Sequence, residues 1–291
     1  MPRSTVALAL VLGISALLGA TPAVVSATSL PADVRPSLGT AASDIESISK
    51  NGCRVGLSRV KVRTDCIYGD PYGTRRVALI GDSHAAHLFP PLNALAKARH
   101  WKLNIQTKIS CRFVDLPIWS RELNRRYSEC EQWRRNVVTY LQQWRPHMVI
   151  YLVARSMAVL PDRPQDDDPT AQGHGLARLM KQIPGKKAVI VDTPTSYHDV
   201  PTCLAANRTH IEACSTPRNR AFSWRHMILE KTAVADVAGA TLVNLSKQIC
   251  PVADDCQAVL KGMIVWRDYH HLTKTFAKSL KSRLATTLPA P

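Results

Sequence analysis

Val77-Ala78-Leu79-Ile80-Gly81-Asp82-Ser83-His84-Ala85-Ala86-His87 sets a buried strand directly against a polar turn and a helix start. Four apolar residues in a row, Val77 to Ile80, are too few for a helix and suit a parallel strand covered on both faces. Gly81 allows a tight exit, and Ala85 onward favours helix. Ser83 is thereby presented at a helix N-terminus, where free backbone N–H groups and the positive end of the helix dipole stabilise an alkoxide or oxyanion. Two readings of the position stand at this point. Asp82 or Ser83 is an N-cap, as in many α/β proteins, or Ser83 is a nucleophile.

Outward from this stretch, apolar runs alternate with amphipathic segments. Strands are expected at Val77 to Ile80, Leu103 to Thr107, Met148 to Val153, Ala188 to Asp192 and Thr241 to Leu245. Helices are expected at Ala85 to Ala98, Cys130 to Gln143, Ala171 to Gln182, Asn219 to Ala238 and Lys274 to Thr286. Strict alternation implies an α/β fold with a parallel sheet covered by helices on both faces, whose ligands bind at the carboxyl ends of the strands. Ser83 lies at such an end.

Near the other end of the chain, Trp266-Arg267-Asp268-Tyr269-His270-His271-Leu272-Thr273 precedes the last expected helix. Asp268 and His271 are three apart, so on a turn one carboxylate can accept from the imidazole while the other ring nitrogen faces outward. That is the orientation a general base needs. Ser, Asp and His then form a complete set.

With these residues quoted, the chain resembles the SGNH (GDSL-like) hydrolase superfamily, most nearly the branch fused to family 3 membrane acyltransferases. Gly81-Asp82-Ser83-His84 matches the nucleophile block as that branch writes it, and Asp268-x-x-His271-Leu272-Thr273 matches the closing block. The resemblance covers about Cys53 to Leu284. It implies a three-layer α/β/α sandwich with a parallel, flavodoxin-like sheet, and Ser83, His271 and Asp268 as catalytic residues. Two signature positions depart from the pattern. The superfamily has Gly after the second strand and Asn after the third, whereas this chain reads Lys108-Ile109-Ser110-Cys111 and Ala154-Arg155-Ser156. The oxyanion hole is left with the Ser83 backbone N–H and an unassigned second donor, and Arg155, Asp82 and His84 are the other oxyanion or substrate-facing candidates. Arg155 has two equal readings: it binds an anionic group, or it pairs with a nearby carboxylate.

At the start of the chain, Arg3, the apolar or small run from Val6 to Leu18, and Val25-Ser26-Ala27 read as a signal peptide over 1–27, with an uncleaved membrane anchor as the alternative. Residues 28–52 read as a linker, with one short helix near Ala42 to Ser49. The hydrolase-like domain is then 53–291, about 240 residues and ample for one core. Eight cysteines behind a signal peptide, without any Cys-x-x-Cys pair, indicate disulfides rather than metal thiolates. The spacing leaves connectivity open; the sequential pairing Cys53–Cys66, Cys111–Cys130, Cys203–Cys214 and Cys250–Cys256 is the one adopted.

The formal net charge is +16. Nucleic acid is the usual partner of such a charge, but export and the spread of the basic residues over expected helices argue against it. An anionic envelope surface or a merely solvated face fits equally. His84, His87, His270 and His271 with Asp82 have the donor types of a metal site, but the further blocks of a metallophosphoesterase are missing, so no metal and no cofactor is expected. Asp166-Asp167-Asp168 reads as a solvated turn rather than a cation site, and Trp101, Trp119, Trp133 and Trp144 as core rather than a sugar platform. The expected function is an exported serine esterase or O-acyltransferase acting on acyl, foremost acetyl, groups of envelope polysaccharide or glycolipid, with a separate membrane acyltransferase as acyl donor. The other class is a non-catalytic envelope-binding domain with a degenerate site.

Overall fold

The computed structural model describes Met1, residues 28–155, Leu160, residues 162–223 and residues 225–291. The region read as signal peptide or anchor lies outside the described residues. No helix among them is long and apolar enough to cross a membrane.

The central sheet has seven strands: β1 (Arg54–Val55), β2 (Ile67–Gly69), β3 (Arg75–Gly81), β4 (Trp101–Lys108), β5 (Met148–Leu152), β6 (Lys186–Ile190) and β7 (Thr241–Val243). Its order runs β1, β4, β3, β5, β6, β7, all parallel, and β2 pairs antiparallel with β4 on the same edge as β1. The five strands expected from apolar runs lie side by side in a flavodoxin-like order out to the β7 edge, while β1 and β2 are short additions at the other edge that no periodicity announces. Strand β3 is central. Val77 and Leu79 enter the apolar layer on one side of the sheet, Ala78 and Ile80 the layer on the other, and all four are fully buried.

The helices are α1 (Ser83–His87), α2 (Phe89–Ala98), α3 (Ser128–Trp144), α4 (Pro169–Gln182), α5 (Val200–Ala206), α6 (Arg218–Phe222), α7 (Ile228–Ala235), α8 (Ser246–Ile249), α9 (Lys274–Ser279) and α10 (Lys281–Thr287). Three differ from the sequence reading. The single helix expected over Ala85 to Ala98 is two, because Pro90 and Pro91 have no N–H to donate to the preceding turn and fit only the first turn of a new helix. The helix expected over Asn219 to Ala238 is also broken: α6 ends at Phe222 and α7 begins only after Met227, whose φ of 67° is outside the helical range. The last helix is divided at Leu280.

The linker expected over 28–52 is corrected. Val34, Ala41 and Ile48 are buried in the same apolar layer as Val77 and Leu79. Arg35 bridges to Met263, and Asp44 caps α9: its carbonyl accepts from the Lys274 N–H and its carboxylate from the Thr275 N–H. The segment packs as short 3-10 turns, Leu38–Ser43 and Ser47–Ser49, so its apolar residues follow neither helical nor strand spacing. The cysteines form Cys53–Cys66, Cys111–Cys130, Cys203–Cys214 and Cys250–Cys256.

Candidate active site

The backbone leaves β3 through Gly81, where a Cβ would stand 1.9 Å from the Leu152 carbonyl oxygen at the end of β5. Only glycine lets the two strand ends approach so closely. Asp82 then caps α1, accepting from the His84 N–H at 2.8 Å with one oxygen and from the Ala154 N–H at 2.8 Å with the other. It is buried and engaged, so it is a strap between the ends of β3 and β5 and not an oxyanion-facing group. Burial raises its pKa, against the pull of His84 and the two N–H groups.

The loop carrying Asp268 and His271 is held from below. Trp266 and Leu272, both fully buried, bridge to each other, and the Trp266 indole N–H donates to the Pro194 carbonyl at 2.9 Å. Thr273 caps α9 by accepting from the Phe276 N–H and donates its own hydroxyl to the Ile264 carbonyl. Within this frame Asp268 accepts from the His270 and His271 backbone N–H groups and lies 2.8 Å from His271 Nδ1, while His271 Nε2 lies 2.8 Å from Ser83 Oγ. The three residues singled out from two distant blocks thus form one hydrogen-bonded chain. Although burial opposes it, the hydrogen bond from His271 and the backbone donors hold Asp268 well below the usual carboxylate range. Burial pulls His271 down to about 4, so its ring is neutral near pH 7 and can accept a proton from Ser83.

Ser83 opens onto a cleft of about 960 Å³ lined by Asp82, His84, Ser110, Trp119, Arg121, Ala154, Arg155, Asp192, Arg220, Tyr269 and His270, among others. Ser110 stands after β4, where the resemblance expects Gly. It adopts a glycine-like φ of 50°, and its hydroxyl donates to Glu122. No residue type announced that conformation. Trp119 is half-buried at the cleft and Tyr269 is exposed beside it, whereas Trp101 and Trp133 are in the core and Trp144 stacks on Tyr140. The expectation of core therefore fails for Trp119.

Arg155 follows its pairing alternative. Its side chain is 9% exposed, donates to the Phe222 and Thr193 carbonyls and reaches Asp192, so it braces the cleft floor instead of offering a free cation. Asp192, which sequence reasoning missed, lies just past β6 and faces His84 Nδ1 at 2.5 Å. His84 is largely buried in the cleft wall, and its Nε2 lies 2.8 Å from His270 Nδ1. His84, His270 and His271 stand close enough to hold one cation, but the ring nitrogens that face one another or Asp192, Asp268 and Ser83 serve as hydrogen-bond partners. The acidic triplet is also accounted for: Asp166 pairs with Arg163, Asp167 with Arg225, and Asp168 caps α4.

The three-layer α/β/α fold with a parallel, flavodoxin-like sheet is that of the SGNH hydrolases. The chain belongs to the family of SGNH domains fused to AT3 domains, which it matches over residues 44–286. Among solved structures it is similar to the periplasmic domain of a lipopolysaccharide acetyltransferase from Salmonella ser. Paratyphi A, with a TM-score of 0.57 and 16% identity, covering 82% of this chain and 87% of that one. No curated protein matches it. Family and fold together support an acyltransferase- or esterase-like role.

Proposed function

We propose that this protein is an exported serine enzyme that moves O-acyl groups, foremost acetyl, on cell-envelope carbohydrate. The observation that carries the reading is the unbroken chain Ser83 Oγ, His271 Nε2, His271 Nδ1 and Asp268 at the mouth of the cleft. Neutral His271 takes the Ser83 hydroxyl proton as Oγ bonds to the acyl carbon of the donor. The donor's ester C–O bond breaks, and its oxygen leaves with the proton from His271. A sugar hydroxyl, or water, next gives its proton to His271 and attacks the acyl carbon; the Oγ–C bond breaks and Ser83 recovers a proton. Two backbone N–H groups are assigned to the oxyanion: that of Ser83 at the start of α1 and that of Ser110.

Trp119 and Tyr269 beside the cleft support a carbohydrate acceptor, since sugar rings stack on aromatic faces, and the four disulfides support an extracytoplasmic location. The family's fusion to AT3 domains supports transfer, with a separate membrane acyltransferase supplying the acyl group. The partners proposed are envelope polysaccharide or glycolipid, not nucleic acid, and the role assigned to this chain uses no cofactor.

A fluorophosphonate should label Ser83 in the wild type and not in Ser83→Ala. With p-nitrophenyl acetate the protein should be a slow esterase, and an acceptor polysaccharide should raise ester consumption and gain acetyl signals by NMR. A positioned hydroxyl can compete with water because its effective concentration reaches about 10⁵ M or more. If envelope polymer only loses acyl groups with a competent donor present, the protein is a deacylating esterase. A folded wild type that is never labelled would make it the non-catalytic binding domain.

A further inference from the structure

Two carboxylates aim two imidazoles at one place. Asp192, 1% exposed and fixed by the Thr193 and Arg155 backbone N–H groups, faces His84 Nδ1 at 2.5 Å. Asp268, fixed by the His270 and His271 backbone N–H groups, faces His271 Nδ1 at 2.8 Å. The nitrogen left on each ring is Nε2. His84 Nε2 lies 2.8 Å from His270 Nδ1, His271 Nε2 lies 2.8 Å from Ser83 Oγ, and one ring nitrogen from each of the three histidines lies within 4.8 Å of the other two. Ser83, His84 and His270 line the cleft, so this junction has an entrance. We propose that it is an inhibitory site for a divalent transition cation, zinc foremost, held by His84, His270 and His271.

The acyl-transfer chain accounts for Asp268 and His271 but gives Asp192, His84 and His270 nothing to do. A carboxylate on the far nitrogen of an imidazole is the usual support of a metal-bound histidine, because it fixes the ring and makes its other nitrogen a better donor. Two of the three rings have that support. Imidazoles select zinc, copper or nickel over magnesium and calcium, which take oxygen ligands. Zinc with nitrogens at about 2.0–2.1 Å in a tetrahedron sets them about 3.4 Å apart, so the His84–His270 pair opens by a few tenths of an ångström and the wider separations close. The hydrogen bond of that pair gives way: its proton, on whichever ring it resides, leaves for His270 Nε2 or for water, so the site does not depend on the tautomer. Water or Ser83 Oγ fills the fourth position. Inhibition follows because His271 Nε2 has one lone pair, and a lone pair on a cation cannot take the Ser83 proton. The inhibition rests on the function proposed above; the binding does not.

The test is a calorimetric titration of zinc into the chain after the expected signal peptide, residues 28–291, carrying no histidine tag. Zinc should bind and magnesium should not. Asp192→Asn should weaken zinc binding about 10–100-fold, the cost of losing an outer carboxylate, and His270→Ala, which removes a ligand, at least as much. Wild-type affinity in folded His270→Ala and His84→Gln variants would place the zinc elsewhere and overturn the proposal, as would a wild type that binds none. With zinc saturating, fluorophosphonate labelling of Ser83 should slow about 10²-fold, the lower end of what a positioned base contributes, and EDTA should restore it. Unchanged labelling with the junction filled would sink the inhibition. A wild-type Ser83 that never reacts even without zinc would instead defeat the acyl-enzyme reading, and the titration would still decide the site.

Discussion

His271 can take the Ser83 proton only when its ring is neutral, and burial holds its pKa at about 4. Activity that depends on this ring should therefore be level from neutral pH down to about 5 and fall as pH drops through about 4, a profile read from kcat/KM on an activated ester. His271→Ala should cost far more than His270→Ala, because the Asp268 carboxylate bonds only the His271 ring. His87 raises a stability question instead. It is 1% exposed, both ring nitrogens lack a hydrogen-bond partner among the described residues, and burial holds its pKa well below 6.5. The unfolded chain takes up a proton there below about pH 6.5 while the folded protein does not, so wild-type stability falls as pH falls. His87→Leu should change little at pH 8 and stabilise by about 2 kcal/mol at pH 5, measured by urea unfolding. A loss at both pH values would show that a polar contact holds the ring.

Among the elements, β3 and its exit are the least tolerant. Gly81→Ala should destabilise by roughly 3 kcal/mol or more, because the added methyl meets the Leu152 carbonyl backbone and not a side chain that can turn away. Loss of soluble protein, or a sharply lowered Tm, is the expected reading; an unchanged Tm would mean that the ends of β3 and β5 are further apart. This element also shows what a sequence can disclose. Val77 to Ile80 declared a doubly covered strand by composition alone, and Ser83, Asp268 and His271 declared themselves because each sits within a short block of recognisable order. Asp192 did not, because it lies 108 residues from His84 and only the order of β3, β5 and β6 brings the two together. Ser110 gave no warning either, since a left-handed φ at a non-glycine residue is imposed by its surroundings. The division between α1 and α2 was legible in Pro90-Pro91, but the helix-forming residues on either side outweighed it.

Over the whole molecule, residues 28–52 are part of the fold. Asp44 caps the helix that begins three residues after His271, so a chain starting at Cys53 would lose that cap together with buried Ala41 and Ile48. Such a fragment should show a lower Tm than the chain starting at Thr28, by thermal unfolding; equal values would return the segment to a linker. Each disulfide closes a short loop, and reduction of all four should also lower Tm, each being worth about 2–4 kcal/mol in the chain-entropy account.

Ser83 Oγ and His271 Nε2 meet across 188 residues, from the first long strand of the sheet to the loop before the last helices. A chain that stops before the Asp268 block holds Ser83 but not His271. Competence under the proposed function then requires two stretches 188 residues apart to survive in one folded molecule, so a cut between them that lets the pieces separate leaves a serine without its base.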